Sequence, residues 1–134
     1  GIETSGKGWT IGLWVVQGML AAAFGMAGAM KTFTPVADLG AQMAWAADSP
    51  WLLIRFIGVS EMAAAMGLIL PAATRIKPLL TPIAASCLVV VMVLAAGTHA
   101  LYGEFSAMVP VAILGALSAF VAWGRIAKSP ISNR

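Results

Sequence analysis

Charge is scarce in this chain: 10% of its 134 residues are Asp, Glu, Lys or Arg, while 60% are hydrophobic. Soluble domains average about 25% charged residues, and a chain this short cannot hide so much apolar surface from water. That excludes a soluble globular fold and leaves the lipid bilayer as solvent and first partner. Cysteine is nearly absent too. The single Cys87 rules out a disulfide within the chain and any paired-cysteine metal or redox motif. The single histidine, His99, cannot supply two axial haem ligands, and it lacks a partner at metal-ligand spacing. No dinucleotide fingerprint and no nucleophile elbow occurs. The expectation is therefore no metal site and no cofactor encoded by the chain alone. The net charge of +3 and pI near 9.5 do not point to nucleic acid, because the basic residues sit singly or in pairs at the ends of apolar runs.

What the chain has instead is four long apolar runs, about 9–30, 51–70, 79–101 and 108–123, with a mean hydropathy of +0.93 overall. They are too long, and too rich in Ala, Leu and Met without alternation, to be strands. An all-α integral membrane four-helix bundle is predicted, forming one transmembrane domain over residues 1–134. Pro71, Pro78, Pro82 and Pro110 fall at or near run ends, where a missing N–H does least harm. Trp9, Trp51, Tyr102 and Trp123 flank the runs, as rings at headgroup level do. Ala27-Gly28-Ala29 resembles a signal cleavage site, but about twenty apolar residues is too long for a signal h-region. Small residues at helical spacing (Ala21 with Gly25, Gly25 with Ala29, Ala63 with Gly67, Gly115 with Ala119) favour close packing in lipid. Cys87 and the eight methionines read as packing residues.

Charge asymmetry sets the orientation. Four spans put both termini and the loop between the second and third helices on one side, with Lys7, Arg75, Lys77, Arg125, Lys128 and Arg134. The other side carries Lys31 with Asp38, Asp48 and Glu104. The positive-inside rule then predicts a multi-pass protein of the inner (plasma) membrane with both termini cytoplasmic, N-in and C-in.

Against this background one residue stands out. Glu61 lies ~15 Å along the second helix, near the middle of a ~30 Å hydrocarbon core. An ionisable group at that depth is costly and faces protein or water, marking a site by default. Topology brings Lys31, Arg55 and His99 into the same half of the membrane, as a basic mouth above an acidic floor. Gln17, Ser60, Ser86, Thr98 and Tyr102 are the polar neighbours available. Arg55 and Glu61 are ~9 Å apart along the axis and about 120° around it, so Glu61 should find its partner on another helix or in water. Each residue also has a plainer reading: Lys31 and Arg55 as snorkelling cations, His99 as a packed imidazole, Glu61 as a polar clamp between helices.

The segments "GLWVVQGMLAAAFGMAGAMK", "RFIGVSEMAAAMGLILPAATRI" and "LTPIAA…VMVLAAGTHALYGE" together resemble the DoxX-like membrane proteins, from Trp9 to about Gly124. The marks are the Lys ending helix one, the Arg-x5-Glu of helix two and the late His of helix three: Lys31, Arg55, Glu61 and His99. The resemblance implies a small inner-membrane protein of a group linked to quinone- or sulfur-dependent oxidoreduction, with some relatives acting in assembly of other membrane proteins.

Three readings of function stand open. In the first, the chain is a redox-associated subunit with an outer-leaflet pocket for a quinone or similar amphipathic ligand. Glu61 and His99 are the catalytic candidates for proton transfer, and Lys31, Arg55 and Tyr102 the ligand-binding ones. Electrons would come from other membrane protein subunits or from a cofactor shared across a homo-oligomer. In the second, the chain is a non-catalytic accessory or assembly subunit. In the third, an oligomer passes protons or small anions.

Overall fold

The computed structural model describes residues 2–128 and 130–132, with side chains from residue 8 onward except those of 36, 44 and 45. The side chains of Lys7 and Arg134, counted in the charge asymmetry, lie outside the described residues, and the tail over 129–134 is described only at 130–132. About 86% of the described residues are helical, with no strand among them. Helix α1 (Ile2–Phe33) is followed by two short helices, α2 (Val36–Gln42) and α3 (Ala44–Ala47). The long helices α4 (Trp51–Thr74), α5 (Leu80–Leu101) and α6 (Met108–Trp123) complete the bundle; a 3-10 turn, Phe105–Ala107, precedes α6 and a π turn, Gly124–Lys128, extends it. Four segments are long and apolar enough to cross a membrane: Gly8–Phe33, Trp51–Thr74, Leu80–Leu101 and Phe105–Lys128.

Burial on α4 recurs at Ile54, Gly58, Glu61, Ala65, Leu68 and Ala72, alternating steps of four and three that form one face. The matching stripe on α1 is Leu13, Gln17, Leu20, Phe24 and Gly28. These faces meet Ala85, Leu88 and Met92 of α5 and Val121 of α6 in a shared core. α1 packs along α4 and α5 along α6, the two pairs joined chiefly through α4 and α5. The opposite faces present Val15, Met19, Met26, Phe56, Met66, Val90 and Leu94 outward, which a bilayer tolerates. Cys87 and several methionines belong to this outer surface rather than to the packing expected of them. Lipid is as apolar as the core, so nothing drives such residues inward.

Two features differ from the predicted elements. The stretch between the first two spans is not open loop: Leu39 and Ala46 dock with Ile54, so α2 and α3 lie over the start of α4. Helix α4 also passes through Pro71 and ends at Thr74 instead of stopping at the proline. Pro71 has no N–H for the Gly67 carbonyl one turn back. Thr81 Oγ1 of α5 donates to that carbonyl at 2.9 Å, and Gln17 Nε2 of α1 donates to the adjacent Leu68 carbonyl at 2.5 Å. A break in a helix is tolerated in lipid where neighbours satisfy the freed groups, and here Thr81 of α5 does so for the Gly67 carbonyl.

α1 and α4 approach each other closely at two glycines. A Cβ added to Gly28 would lie 2.6 Å from the Gly58 carbonyl oxygen, and one added to Gly58 would lie 2.8 Å from that of Gly28. No side chain fits at either position without the helices separating. Each glycine stands three residues before a charged one, Lys31 on α1 and Glu61 on α4. The glycine contact therefore sets the distance across which those two charges meet.

Candidate functional site

Lys31 occupies the last turn of α1, where the helix dipole favours a cation. Glu61 is on the buried face of α4 and only 1% exposed. The glycine crossing brings them together: Lys31 Nζ donates to Glu61 Oε1 at 2.6 Å. The partner expected from another helix is thus the lysine of α1. Short charge-assisted bonds of this kind are about twice as strong as neutral ones, and without it a mid-membrane carboxylate would be prohibitive.

Arg55 turns away from Glu61. Its Nη1 donates to the carbonyls of Lys31 at 2.9 Å and Thr34 at 2.7 Å, capping the C-terminal end of α1. Helix ends leave carbonyls without intrahelical partners, and a guanidinium from α4 meets two acceptors there. His99, in the last turn of α5, has Nδ1 3.2 Å from Glu104 Oε1. Tyr102 donates its hydroxyl to Asp48 Oδ2 at 2.6 Å, joining the end of α5 to the segment after α3. That bond, followed by partial desolvation and then by the nearby Asp48 and Glu104 charges, raises the Tyr102 phenol above its ordinary value.

Two cavities flank the Lys31–Glu61 pair. One, of about 390 Å³, lies within the bundle under α2 and is lined by Lys31, Glu61, His99, Glu104, Gln42 and Phe24 among others. The second, of about 310 Å³, lies between α4 and α5, lined by Lys31, Glu61, Ser60, Thr98, Phe56 and Leu94 among others. Phe56 and Leu94 are exposed, so the second opens on the lipid-facing surface. Lys31, Glu61, Met92 and Ala95 line both. The ion pair is shared by two mostly apolar cavities, the first of which also carries the polar side chains of His99, Glu104 and Gln42.

The structure brings Lys31, Glu61 and His99 to one chamber and leaves Arg55 and Tyr102 off the lining of both, engaged in protein hydrogen bonds. Ser60 and Thr98 join the lateral cavity. Ser86 bonds within its own helix to the Pro82 carbonyl. Glu104, read from sequence only as an outer-side acid, belongs to the chamber; its position five residues after His99 was the available signal.

A second polar group, at the opposite end of the bundle, was not anticipated. Gln17 belongs there, not beside Glu61: its Oε1 accepts from Arg125 Nε at 2.6 Å. Arg125 is 3% exposed and lies 5.4 Å over the Trp14 ring. With Gln17 also bonded to the Leu68 carbonyl, this group ties α1, α4 and the end of α6 together. No group of three or more His, Cys, Asp and Glu placed to hold a metal occurs among the described residues.

Four membrane-length helices around a buried lysine–glutamate pair define a small multi-pass membrane protein. The chain belongs to the DoxX-like family, whose model matches residues 15–121, from the first half of α1 to near the end of α6. No curated protein and no solved structure matches it.

Proposed function

We propose that the chain is a redox-associated membrane subunit that binds a quinone, or a ligand of the same head-and-tail chemistry, at the Lys31–Glu61 pair. The observation that carries this reading is the pair of cavities sharing those two side chains, the first lined also by His99 and Glu104 and the second reaching the exposed Phe56 and Leu94. A quinone ring needs hydrogen-bond donors at its oxygens and its tail needs an apolar slot. Lys31 and His99 are donors at the chamber, and the α4–α5 opening is the slot. Reduction of a quinone takes up two electrons and two protons. His99 and Glu61 are placed to relay protons, Lys31 to stabilise developing oxyanion charge, and the electrons come from a partner subunit. The orientation that goes with this reading has both termini cytoplasmic in the inner membrane. Its support is that Arg75, Lys77, Arg125 and Lys128 share one end while Asp38, Asp48 and Glu104 share the other.

The test is saturable binding of a short-tailed benzoquinone to the purified protein. Glu61→Gln is expected to weaken it about tenfold, the worth of one hydrogen bond to a charged group, and Leu94→Trp to weaken it by filling the slot. Absence of saturable binding by the unaltered protein would discard the reading. A second reading, of a non-catalytic assembly or accessory subunit, draws on a different observation. Lys31, Glu61 and Arg55 all find partners within the bundle, so the cluster also serves as a clamp between α1 and α4. Under it, Glu61→Gln and Arg55→Met lower the melting temperature and no quinone binds.

A further inference from the structure

The cavity of about 390 Å³ under α2 has a direction. α1 lines it from Phe24 to Lys31, α5 from Met92 to His99, and the start of α6 as far as Leu114. The α1 and α5 stretches are each two turns, ~10 Å of helix. The chamber therefore runs along the bundle for about a third of the ~30 Å hydrocarbon thickness. Its ionisable side chains are graded over that length. Those of Glu104, His99, Lys31 and Glu61 are 38, 21, 15 and 2% exposed, and the exposed Gln42 stands at the α2 end. Beyond Glu61 the way is closed. Phe24 belongs both to the lining and to the bundle core, whose Leu20, Leu68, Leu88 and Val121 are wholly buried.

The walls are mostly apolar, but polar capacity is left over along them. Lys31 Nζ has three N–H donors, of which Glu61 Oε1 takes one. His99 meets Glu104 through Nδ1, which leaves Nε2 for another partner. Buried water needs two to four polar partners and ~30 Å³ per molecule, and this chamber supplies both for several. The charged and titratable groups facing Glu61 here are Lys31 from α1, His99 from α5 and Glu104 just after it. α2 adds the neutral Gln42, and α6 adds the apolar Val111 and Leu114.

We propose that this chamber is a water-filled half-channel, open on the α2–α3 side and ending at Glu61, along which Glu104 and His99 pass protons. Glu104 takes a proton from solvent and gives it to His99 Nδ1. The imidazole, in the tautomer with its hydrogen on Nε2, releases that hydrogen to chamber water, which protonates the Glu61 carboxylate. One N–H bond forms as the other breaks, so the ring carries no lasting charge. The inference concerns the side of the membrane with which Glu61 exchanges protons. It holds whatever occupies the lateral cavity, and it would fix the side from which the protons of the quinone reading come.

Access is tested on the full chain carrying Cys87→Ser, in sealed native membrane vesicles. Single cysteines replace Ala27 in the chamber, Val93 on the lipid-facing surface about as deep, Ser106 at the α2–α3 end and Lys128 at the other. A membrane-impermeant cationic methanethiosulfonate is added outside the vesicles. It is expected to modify Ala27→Cys only in the vesicle orientation where it modifies Ser106→Cys, and much faster than Val93→Cys. Modification of Ala27→Cys in the orientation that exposes Lys128→Cys, or no faster than that of Val93→Cys, overturns the proposal. The proton step is followed in the same vesicles by the infrared band of the protonated carboxyl that Glu61→Gln removes. After an acid jump on the Ser106 side, its rise should slow about a hundredfold in Glu104→Gln, the worth of one positioned proton carrier, and reach the same final amplitude. An unchanged rate in Glu104→Gln overturns the proposal. Neither measurement contains a quinone, so failure here leaves the quinone-binding test to its own outcome.

Discussion

At the scale of single residues, the chemistry turns on one short bond. Glu61 is all but inaccessible and Lys31 Nζ lies 2.6 Å from it. Removing one partner of a buried pair costs far more than removing both, because the survivor keeps its desolvation penalty. Lys31→Met should therefore destabilise the protein by about 3 kcal/mol, whereas Lys31→Met with Glu61→Leu should come within about 1 kcal/mol of the unaltered chain. Reversible unfolding in mixed detergent measures both. Equal costs for the single and double variants would mean that the carboxyl group does not depend on the lysine. The double variant also separates stability from ligand binding, since it keeps the fold and loses the donor and acceptor that the quinone reading requires. Much of this was legible beforehand: a charge midway along an apolar run marks itself, and four-span topology places Lys31 in the same half of the membrane. The destination of Arg55 was not legible, because its acceptors are backbone carbonyls, which every helix end has and no sequence labels. The Arg125–Gln17 bond joins residues 108 positions apart. From sequence, Arg125 looked like one more cation at the end of a run.

At the scale of helices, two departures from regularity hold the bundle in register. Pro71 frees the Gly67 carbonyl, and Thr81 takes it up from α5. The two residues should therefore be energetically coupled. Thr81→Val is expected to cost about 1 kcal/mol in the unaltered protein and distinctly less beside Pro71→Ala, where residue 71 regains an N–H for Gly67. A double-mutant cycle on unfolding free energies reads the difference, and strict additivity would sink the idea. The second departure is the glycine crossing. Gly28→Ala forces a methyl against the Gly58 carbonyl and the Met62 side chain, at 2.6 and 2.8 Å, so α1 and α4 must part. Overpacking of this kind costs about 1–3 kcal/mol, and the parting stretches the Lys31–Glu61 bond. Gly25→Ala, one turn earlier, meets only Ala65 Cβ at 3.9 Å. It should be neutral or stabilise by up to about 1 kcal/mol through helix propensity. Melting temperatures of the two variants moving in the same direction would contradict this account. Sequence spacing had marked Gly25, Gly67 and Gly115 as contact points. Gly67 and Gly115 do face neighbours: a Cβ added at Gly67 would lie 2.9 Å from Ala84 Cβ, and one added at Gly115 would lie 3.2 Å from Met92 Cβ. Gly28 and Gly58 escaped notice because each pairs with a glycine on the other helix, and in-helix spacing carries no trace of that.

At the scale of the whole molecule, the two ends are chemically opposed: cations gather beyond α4 and α6, and acids beyond α1 and α5. The acidic end is closed by the segment carrying α2 and α3, which supplies Gln42 and Met43 to the chamber wall. Two contacts hold this cover: the docking of Leu39 and Ala46 with Ile54, and the Tyr102–Asp48 hydrogen bond at 2.6 Å. The second can be followed directly, because Tyr102 is the single tyrosine and its phenolate absorbance belongs to no other residue. Donation to Asp48 comes first among the causes that raise the phenol above its ordinary value of about 10. The folded state therefore favours the protonated form. The contribution of the bond is fully present below the ordinary phenol range and is lost as pH rises through the raised folded value. In an ultraviolet titration the phenolate of the folded protein should appear at higher pH than that of the unfolded chain. Asp48→Asn, which removes the charge and weakens the acceptor, should move it back toward the ordinary value. If that titration does not respond to Asp48→Asn, the hydroxyl is not held by Asp48, and the cover rests on its apolar docking alone.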